Sequence, residues 1–326
     1  MSAESAPGAQ PRTVAVVIPC YRVGAAIGGV LAGIGPEVQR IYCVDDACPE
    51  GSGRQIEAAC ADPRLRVLFN ERNLGVGGAT MAGYAQALAD GAEVVVKLDG
   101  DGQMDPALIP KFVAPILAGR ADYTKGNRFF DLSFLRPMPR ARLFGNAGLS
   151  LLTKLSTGYW QLVDPANGYT AIHARVLAML PLERVSRGYF FESDLLFRLN
   201  TLGAVVEEVP MAAVYGAERS NLSIRRVWWE FLAKNCRNFV KRIFYNYFLR
   251  GFSIASVELV LGLLLTLFSL VFGAERWAHS IVSGVPVTAG TAMLAGLPLI
   301  LGMQLLLSFL AYDTRSVPTA ALHRRL

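Results

Sequence analysis

The sequence has few charges, few histidines and no paired cysteines. Charged residues are 18% of the 326 positions against 52% hydrophobic ones, and mean hydropathy is +0.35. That balance is too apolar for an ordinary soluble enzyme and too polar for a chain lying wholly in a membrane. The three histidines, His173, His279 and His323, are widely scattered, which argues against a histidine-based metal centre and leaves oxygen atoms as the donors for any metal. Cys20, Cys43, Cys48, Cys60 and Cys236 form no CxxC pair, and their odd number suits a reducing compartment rather than a disulfide framework. The glycines and prolines show no period, so collagen-like and disordered classes are excluded. Residues 1–13 are small and polar, and the first apolar run, 14–18, is too short for the core of a signal peptide, so no cleaved export signal is expected.

The apolar surplus lies near the C-terminus. Residues 252–272 carry one acid, Glu258, and residues 287–310 carry no charge at all. At about 1.5 Å per residue each run exceeds the roughly 30 Å of a bilayer core, which predicts two transmembrane helices. The net charge of +6 is equally local. Residues 219–250 hold eight bases and one acid, while residues 1–218 hold 20 bases and 22 acids. With only Glu275, Arg276 and His279 in the connecting loop, the positive-inside rule places both termini in the cytoplasm. Apolar positions at helical spacing through 224–248, with bases mostly between them, predict amphipathic helices on the inner leaflet or a helix packed on the soluble domain. Direct junction with a span argues against a nucleic-acid-binding strip. The expected organisation is therefore an N-terminal tail (1–12), a cytoplasmic catalytic domain (13–218), a basic interfacial segment (219–250), two spans (251–311) and a cytoplasmic tail (312–326).

Short β-branched runs at 14–18, 39–44, 66–69, 94–98, 123–126 and 205–209 alternate with helical patterns at about 24–33, 53–60, 76–90, 106–118, 141–157 and 191–202. The alternation predicts an α/β domain around a largely parallel sheet, whose ligands bind beyond the carboxyl ends of the strands. Those ends read Pro19-Cys20-Tyr21-Arg22, Asp45-Asp46, Asn70 to Gly78, and Asp99-Gly100-Asp101-Gly102-Gln103. The last is not an EF-hand loop, because Met104 stands where a glycine is required and Pro110 where the closing acid belongs. The glycine run 75–78 follows the third strand, lacks the third glycine of a dinucleotide fingerprint (Thr80), and leads into no Lys-Ser/Thr. What remains is two carboxylates at i and i+2 on a glycine-rich turn, which with phosphate oxygens suit octahedral Mg²⁺ or Mn²⁺.

These residues, in order VVIPCYR, CVDDACPEGS, NERNLGVGGATMAGYAQAL, VVKLDGDGQMDP, KGNRF, DPANGYTAIHARVL and FESDLLFRLNTLGAVVEEVP, resemble a family 2 glycosyltransferase of the GT-A fold. More narrowly they are similar to the membrane-bound polyprenyl-phosphate glycosyltransferases, the group of dolichyl-phosphate mannose synthase. The resemblance covers residues 13–220. It implies that Pro19, Tyr21, Asp45 and Asp46 hold the base and ribose of a nucleoside diphosphate sugar, and that Asp99 and Asp101, with Gln103 beside them, hold the metal on the diphosphate. It places Arg128 near diphosphate and sugar, Asp164 and the turn at Gly168 facing sugar and acceptor, and Glu192 and Asp194 on the acceptor side. Lys97, just before the acidic pair, and Ala166-Asn167 depart from the commonest patterns. Each residue also has a plainer reading: Tyr21 as a core aromatic, Arg128 as a surface ion pair, Asp164 as a turn or cap, Glu192 and Asp194 as the acidic start of a helix.

Departure of the diphosphate develops negative charge that a metal and an arginine stabilise. A phosphate monoester acceptor, with a second pKa of about 6, arrives largely ionised and needs no strong base, but two anions side by side need cations. Arg219 with Arg225, Arg226 and Lys234 are therefore assigned to the lipid phosphate. The expectation is an inverting hexosyltransferase in the cytoplasmic membrane, acting on a polyprenyl phosphate, with a separate flippase moving the product and homo-oligomers left open. The rivals are a same-fold transferase with a hydroxyl acceptor, using Glu192 or Asp194 as base, and a nonenzymatic nucleotide-sugar-binding membrane protein.

Overall fold

Seven strands form one sheet: β1 (Val14–Cys20), β2 (Arg40–Asp45), β3 (Leu65–Phe69), β4 (Val94–Lys97), β5 (Tyr123–Asn127), β6 (Thr170–His173) and β7 (Val206–Pro210). Their order is β3-β2-β1-β4-β6-β5-β7. The apolar runs of β1 and β4 are central because both of their faces are buried, as continuous β-branched runs require. Leu65–Phe69 has no fully buried residue and lies at an edge. All neighbours pair in parallel except β6, which runs antiparallel to both β4 and β5. The structure, a computed structural model, describes residues 13–24, 26–130, 140–212 and 224–326, with the side chains of 140–147 and 224–228 left aside. Arg219 and the side chains of Arg225 and Arg226 thus lie outside the described residues.

Helices α1 (Ala26–Gly33), α2 (Ser52–Ala59), α3 (Gly75–Ala89), α4 (Ile109–Leu117), α5 (Arg140–Thr157), the short α6 (Ala174–Ala178) and α7 (Phe191–Leu202) connect and cover the sheet. Val14, Val16 and Ile18 point to one face, where Ile27 and Val30 of α1 and Ile109, Phe112 and Ile116 of α4 join them in the core. On the other face α3 approaches closely at Gly83, where an added Cβ would stand 2.3 Å from the Val17 side chain. Every strand expected from the sequence is present, with boundaries shifted by one or two residues. The sequence reading missed β6, whose four residues are too few to show a period and sit inside a motif rich in turn-forming residues.

Two compact units divide the chain: Met1–Phe239 with Pro318–Leu326, and Val240–Val317. Of the residues 312–326 expected as a tail, 312–315 continue the last long helix and 318–326 group with the first unit. Asp122, fully buried at the entry to β5, accepts from the amides of Val205, Leu322 and His323, each at 2.8 Å. His323 Nδ1 lies 2.6 Å from the same carboxylate, and its ring stacks on His173 at 4.2 Å. Burial, with His323 and Arg175 nearby, pulls the His173 pKa down to about 4 against the opposing pull of Asp122. Between pH 6.5 and 4 the unfolded chain therefore takes up a proton that the folded chain does not, so stability falls as pH falls through that window. The loss expected at pH 5 is about 2 kcal/mol. Denaturation of wild type and His173→Gln at pH 7 and pH 5 checks this, with the variant losing less stability on acidification.

The boundary between the units falls within α8 (Ile224–Phe244), which runs on into a wide π-type turn at Tyr245–Leu249. In the second unit α9 (Ile254–Ser283) and α10 (Ala289–Arg315) are both long and apolar enough to cross a membrane. Both extend past the apolar runs seen in the sequence. Only 22% and 11% of their most apolar windows are buried, the opposite of a core helix. Small residues hold the pair together: a Cβ on Gly302 would stand 2.8 Å from the Thr266 amide, and one on Gly262 3.1 Å from the Gly302 carbonyl. Ser269 donates to the Ala295 carbonyl, and Ser308 of α10 to Glu258 of α9 at 2.8 Å. Arg242 does not face lipid as one base of the amphipathic pattern. It is 2% exposed and makes a two-point ion pair with Asp313 of α10, at 2.6 and 2.9 Å.

Candidate active site

The direction of strand succession reverses between β1 and β4, and the chain segments leaving their carboxyl ends flank the crevice where α/β sheets bind ligands. From β1 come Pro19, Cys20 and Tyr21, followed by Arg22 in the left-handed region at φ 55°. Tyr21 is 45% exposed, so it is not a core aromatic. From β2 come Asp45 and Asp46, both buried and both turned on backbone amides. Asp45 accepts from Cys48 N at 2.7 Å and Gly53 N at 2.6 Å; a Cβ on Gly53 would meet that carboxylate at 2.8 Å. Asp46 accepts from Leu74 N, Gly75 N and the Asn70 side chain. The two acids shape the strand-end loops next to the crevice.

The glycine run finds its explanation at the start of α3. Gly75 has φ +78°, and Gly77 and Gly78 donate their amides to the Arg187 carbonyl at 2.7 and 3.2 Å. A Cβ on Gly77 would stand 2.4 Å from the Ser186 carbonyl. The helix N-terminus is capped by protein, by Asp46 before it and the 186–187 loop upon it.

β4 delivers Asp99, Asp101 and Gln103. Asp101 Oδ1 accepts from Gln103 N at 2.9 Å, closing the turn around Gly102 at φ +78°. Asp99 is 31% exposed and its Oδ1 lies 2.6 Å from the ammonium of Lys97. Lys97 in turn lies 3.6 Å from Glu192 Oε1. Lys125 of β5 lies 3.1 Å from Glu192 Oε2 and donates to the Asn167 carbonyl. Burial pulls the Lys97 pKa down, but Asp99 and Glu192 outweigh it and hold the net value above the ordinary one. For Lys125 burial wins over Glu192, and the pKa falls. Burial raises that of Glu192 against the pull of Lys125 and Lys97.

Residues 164–168 close against this turn. A Cβ on Gly168 would come within 2.6 Å of Lys97 Nζ, 2.8 Å of Asp99 Oδ2 and 3.0 Å of Glu192 Oε1, so a larger residue would have to displace the charged ends gathered there. Asp164, 1% exposed, clamps Arg128 in two-point fashion, Nε at 2.7 Å and Nη2 at 3.0 Å. Glu208 of β7 supports the clamp by accepting from the amides of Val163 and Asp164 and from Asn127. Burial raises the Glu208 pKa against those amides.

Asp194 stands apart from this cluster's ion pairs. It accepts from Ser186 N, Arg198 Nε and the Asn238 side chain, tying α7 to the 186–187 loop and α8. Lys234 Nζ bridges Glu230 at 2.6 Å and Ser186 Oγ at 3.2 Å. The residues that sequence reasoning passed over as functional are Lys97, Lys125 and Glu208. A lysine ending an otherwise all-valine buried strand was the available signal, since a charge there demands a partner.

The donor set suits Mg²⁺ or Mn²⁺. Two carboxylates of one turn offer hard oxygen atoms, and Asp99 already carries a cation, Lys97, at contact distance. Among the described residues no three His, Cys, Asp or Glu come together to hold an ion. A divalent ion would complete its shell with phosphate oxygens and water, as Mg²⁺ does in phosphate-binding sites.

A mixed seven-stranded sheet with an acidic turn at its reversal point is the GT-A arrangement. The sequence model of Glycosyl transferase family 2 matches residues 15–179, half of the chain, and the chain belongs to that family. It is 32% identical over 176 residues to the undecaprenyl-phosphate mannosyltransferase of Micrococcus luteus, covering 53% of this chain and 71% of that one. Identity to the polyprenol monophosphomannose synthase of Mycolicibacterium smegmatis is 31% over 220 residues, covering 64% and 82%. Among solved structures, glucosyl-3-phosphoglycerate synthase from Mycobacterium tuberculosis, in complex with Mn²⁺, UDP-glucose and phosphoglyceric acid, superposes with a TM-score of 0.54. That match has 21% identity, covers 71% of this chain and 79% of that one, and shows shared fold alone.

Proposed function

We propose that the protein transfers a hexose from a nucleoside diphosphate sugar to a polyprenyl phosphate in a single inverting displacement at the inner face of the cytoplasmic membrane. The similarity to an undecaprenyl-phosphate mannosyltransferase and to a polyprenol monophosphomannose synthase supports the acceptor class. In this reading Pro19 and Tyr21 contact the donor base, and Asp45 and Asp46 hold the loops that enclose the nucleoside. Mg²⁺ or Mn²⁺ on Asp99, Asp101 and Gln103 would neutralise charge on the departing diphosphate. Arg128, fixed in plane by Asp164 and 37% exposed, places a second cation there without reorganising during reaction.

The observation that carries the choice of acceptor is the commitment of the remaining acids. Asp164 is paired with Arg128, Glu192 with two buried lysines, and Asp194 with Arg198, Asn238 and an amide. A hydroxyl acceptor needs one of them as base, whereas a phosphate monoester is already ionised. The basic segment, Arg219 with Arg225, Arg226 and Lys234, is assigned to the acceptor phosphate. The positive-inside bias puts the catalytic unit and both termini on the cytoplasmic side of a two-span protein. Comparing a polyprenyl phosphate with the same polyprenol lacking its phosphate tests this. Transfer to the phosphate alone is expected, with rate falling only as pH drops below about 6; comparable transfer to the free polyprenol would refute it.

A further inference from the structure

The two buried ammonium groups next to the acidic turn have no part in the proposed chemistry. Asp99, Lys97, Glu192 and Lys125 form a row of alternating charge, with contacts of 2.6, 3.6 and 3.1 Å. Lys97 and Lys125 are 2% and 0% exposed, so neither can reach solvent for compensation. The row is uneven. Lys97 sits in hydrogen-bond contact with Asp99 and beyond that range from Glu192, while Lys125 holds the far oxygen of Glu192. A carboxylate offered to a divalent cation while an ammonium already rests on it has two competing partners.

We propose that Lys97 is a placeholder counter-ion, which holds Asp99 when no divalent cation is present, and that Glu192 is the positioning residue that takes up the Lys97 charge when Asp99 turns to the cation. The inference rests on the reading of Asp99 as a cation ligand. The lysine stem lets its ammonium shift between two carboxylates while the aliphatic part stays buried. Gly168 leaves the space in which the three groups meet. Glu192 so placed is no base. Lys97 opposes cation binding by like charge, and Glu192 favours it by absorbing that charge, so removing them has opposite consequences.

The test is Mn²⁺ binding to the full-length protein in detergent, with free Mn²⁺ read by its electron paramagnetic resonance and no substrate present. Lys97→Gln is expected to bind Mn²⁺ roughly tenfold more tightly, and Glu192→Gln roughly tenfold more weakly. Lys97→Arg should preserve wild-type affinity. A merely structural role loosens binding in both single variants. Binding that is unchanged, weaker or absent in Lys97→Gln overturns the inference. Should Lys97→Gln fail to fold, Lys97→Arg and Glu192→Gln decide, and affinity unaltered in Glu192→Gln overturns it. Asp99→Asn separates the two levels: if it binds Mn²⁺ as wild type does, the cation-ligand reading itself fails, whatever Lys97 does.

Discussion

Asp99→Asn is expected to lower turnover by about a thousandfold while the protein stays folded. Asparagine keeps the shape of the side chain and one oxygen, so the turn closed by Asp101 and Gln103 remains. It removes the negative charge that would hold a divalent cation on the leaving diphosphate. One preorganised hydrogen-bond donor at a developing oxyanion is worth about 10²–10³ in rate, and a cation's anchoring charge is worth no less. The substitution also leaves Lys97 with Glu192 alone, so an unfolding curve belongs beside the rate measurement. Asp101→Asn should fall by a similar factor through the same cation. Full activity in either variant would remove the metal role from that residue.

Asp313→Ala is expected to cost the second unit about 3–5 kcal/mol. Its carboxylate accepts two bonds from Arg242 and one, at 2.6 Å, from the Tyr247 hydroxyl. Both ionic partners are at most 3% exposed, so the alanine takes a two-point carboxylate away from a buried guanidinium. Replacing both, as Arg242→Met with Asp313→Leu, removes both desolvation costs together and should bring stability back to within about 1–2 kcal/mol of wild type. Denaturation of wild type, Arg242→Met, Asp313→Leu and the double variant in detergent completes the cycle. A double variant destabilised by the sum of the two single losses would show that the pair is not coupled.

Much of the fold was legible because its strongest signals are local. The unbroken runs in β1 and β4 can only be two-sided buried strands, and two charge-poor stretches longer than twenty residues can scarcely be anything but the apolar helices α9 and α10. β6 escaped because four residues carry no period, and it owes its place to pairing with β4 and β5 rather than to its own sequence. The base at 242 reads as surface charge within a basic helix. Its buried acid lies 71 positions away, a distance no pattern in α8 announces.

The candidate site divides in the same way. The strand-end acids announced themselves by position, but not which amides they would hold: Asp46 organises a loop 28 residues downstream through Leu74 N. Glu192 and Asp194, two residues apart at the start of α7, look alike in sequence. The structure gives one to the lysines beside Asp99 and the other to the loop capping α3. Lys97 stood out only as an odd residue in a buried strand, and its meaning lay in what it touches.

The proposed reaction is transfer of hexose from a nucleoside diphosphate to a polyprenyl phosphate. Its most direct test incubates the purified protein with Mg²⁺, polyprenyl phosphate and a panel of radiolabelled nucleoside diphosphate hexoses, followed by partition into organic solvent. Organic-phase label is expected with at least one donor, dependent on the lipid phosphate and lost in Asp99→Asn. No organic-phase label with any donor would contradict it.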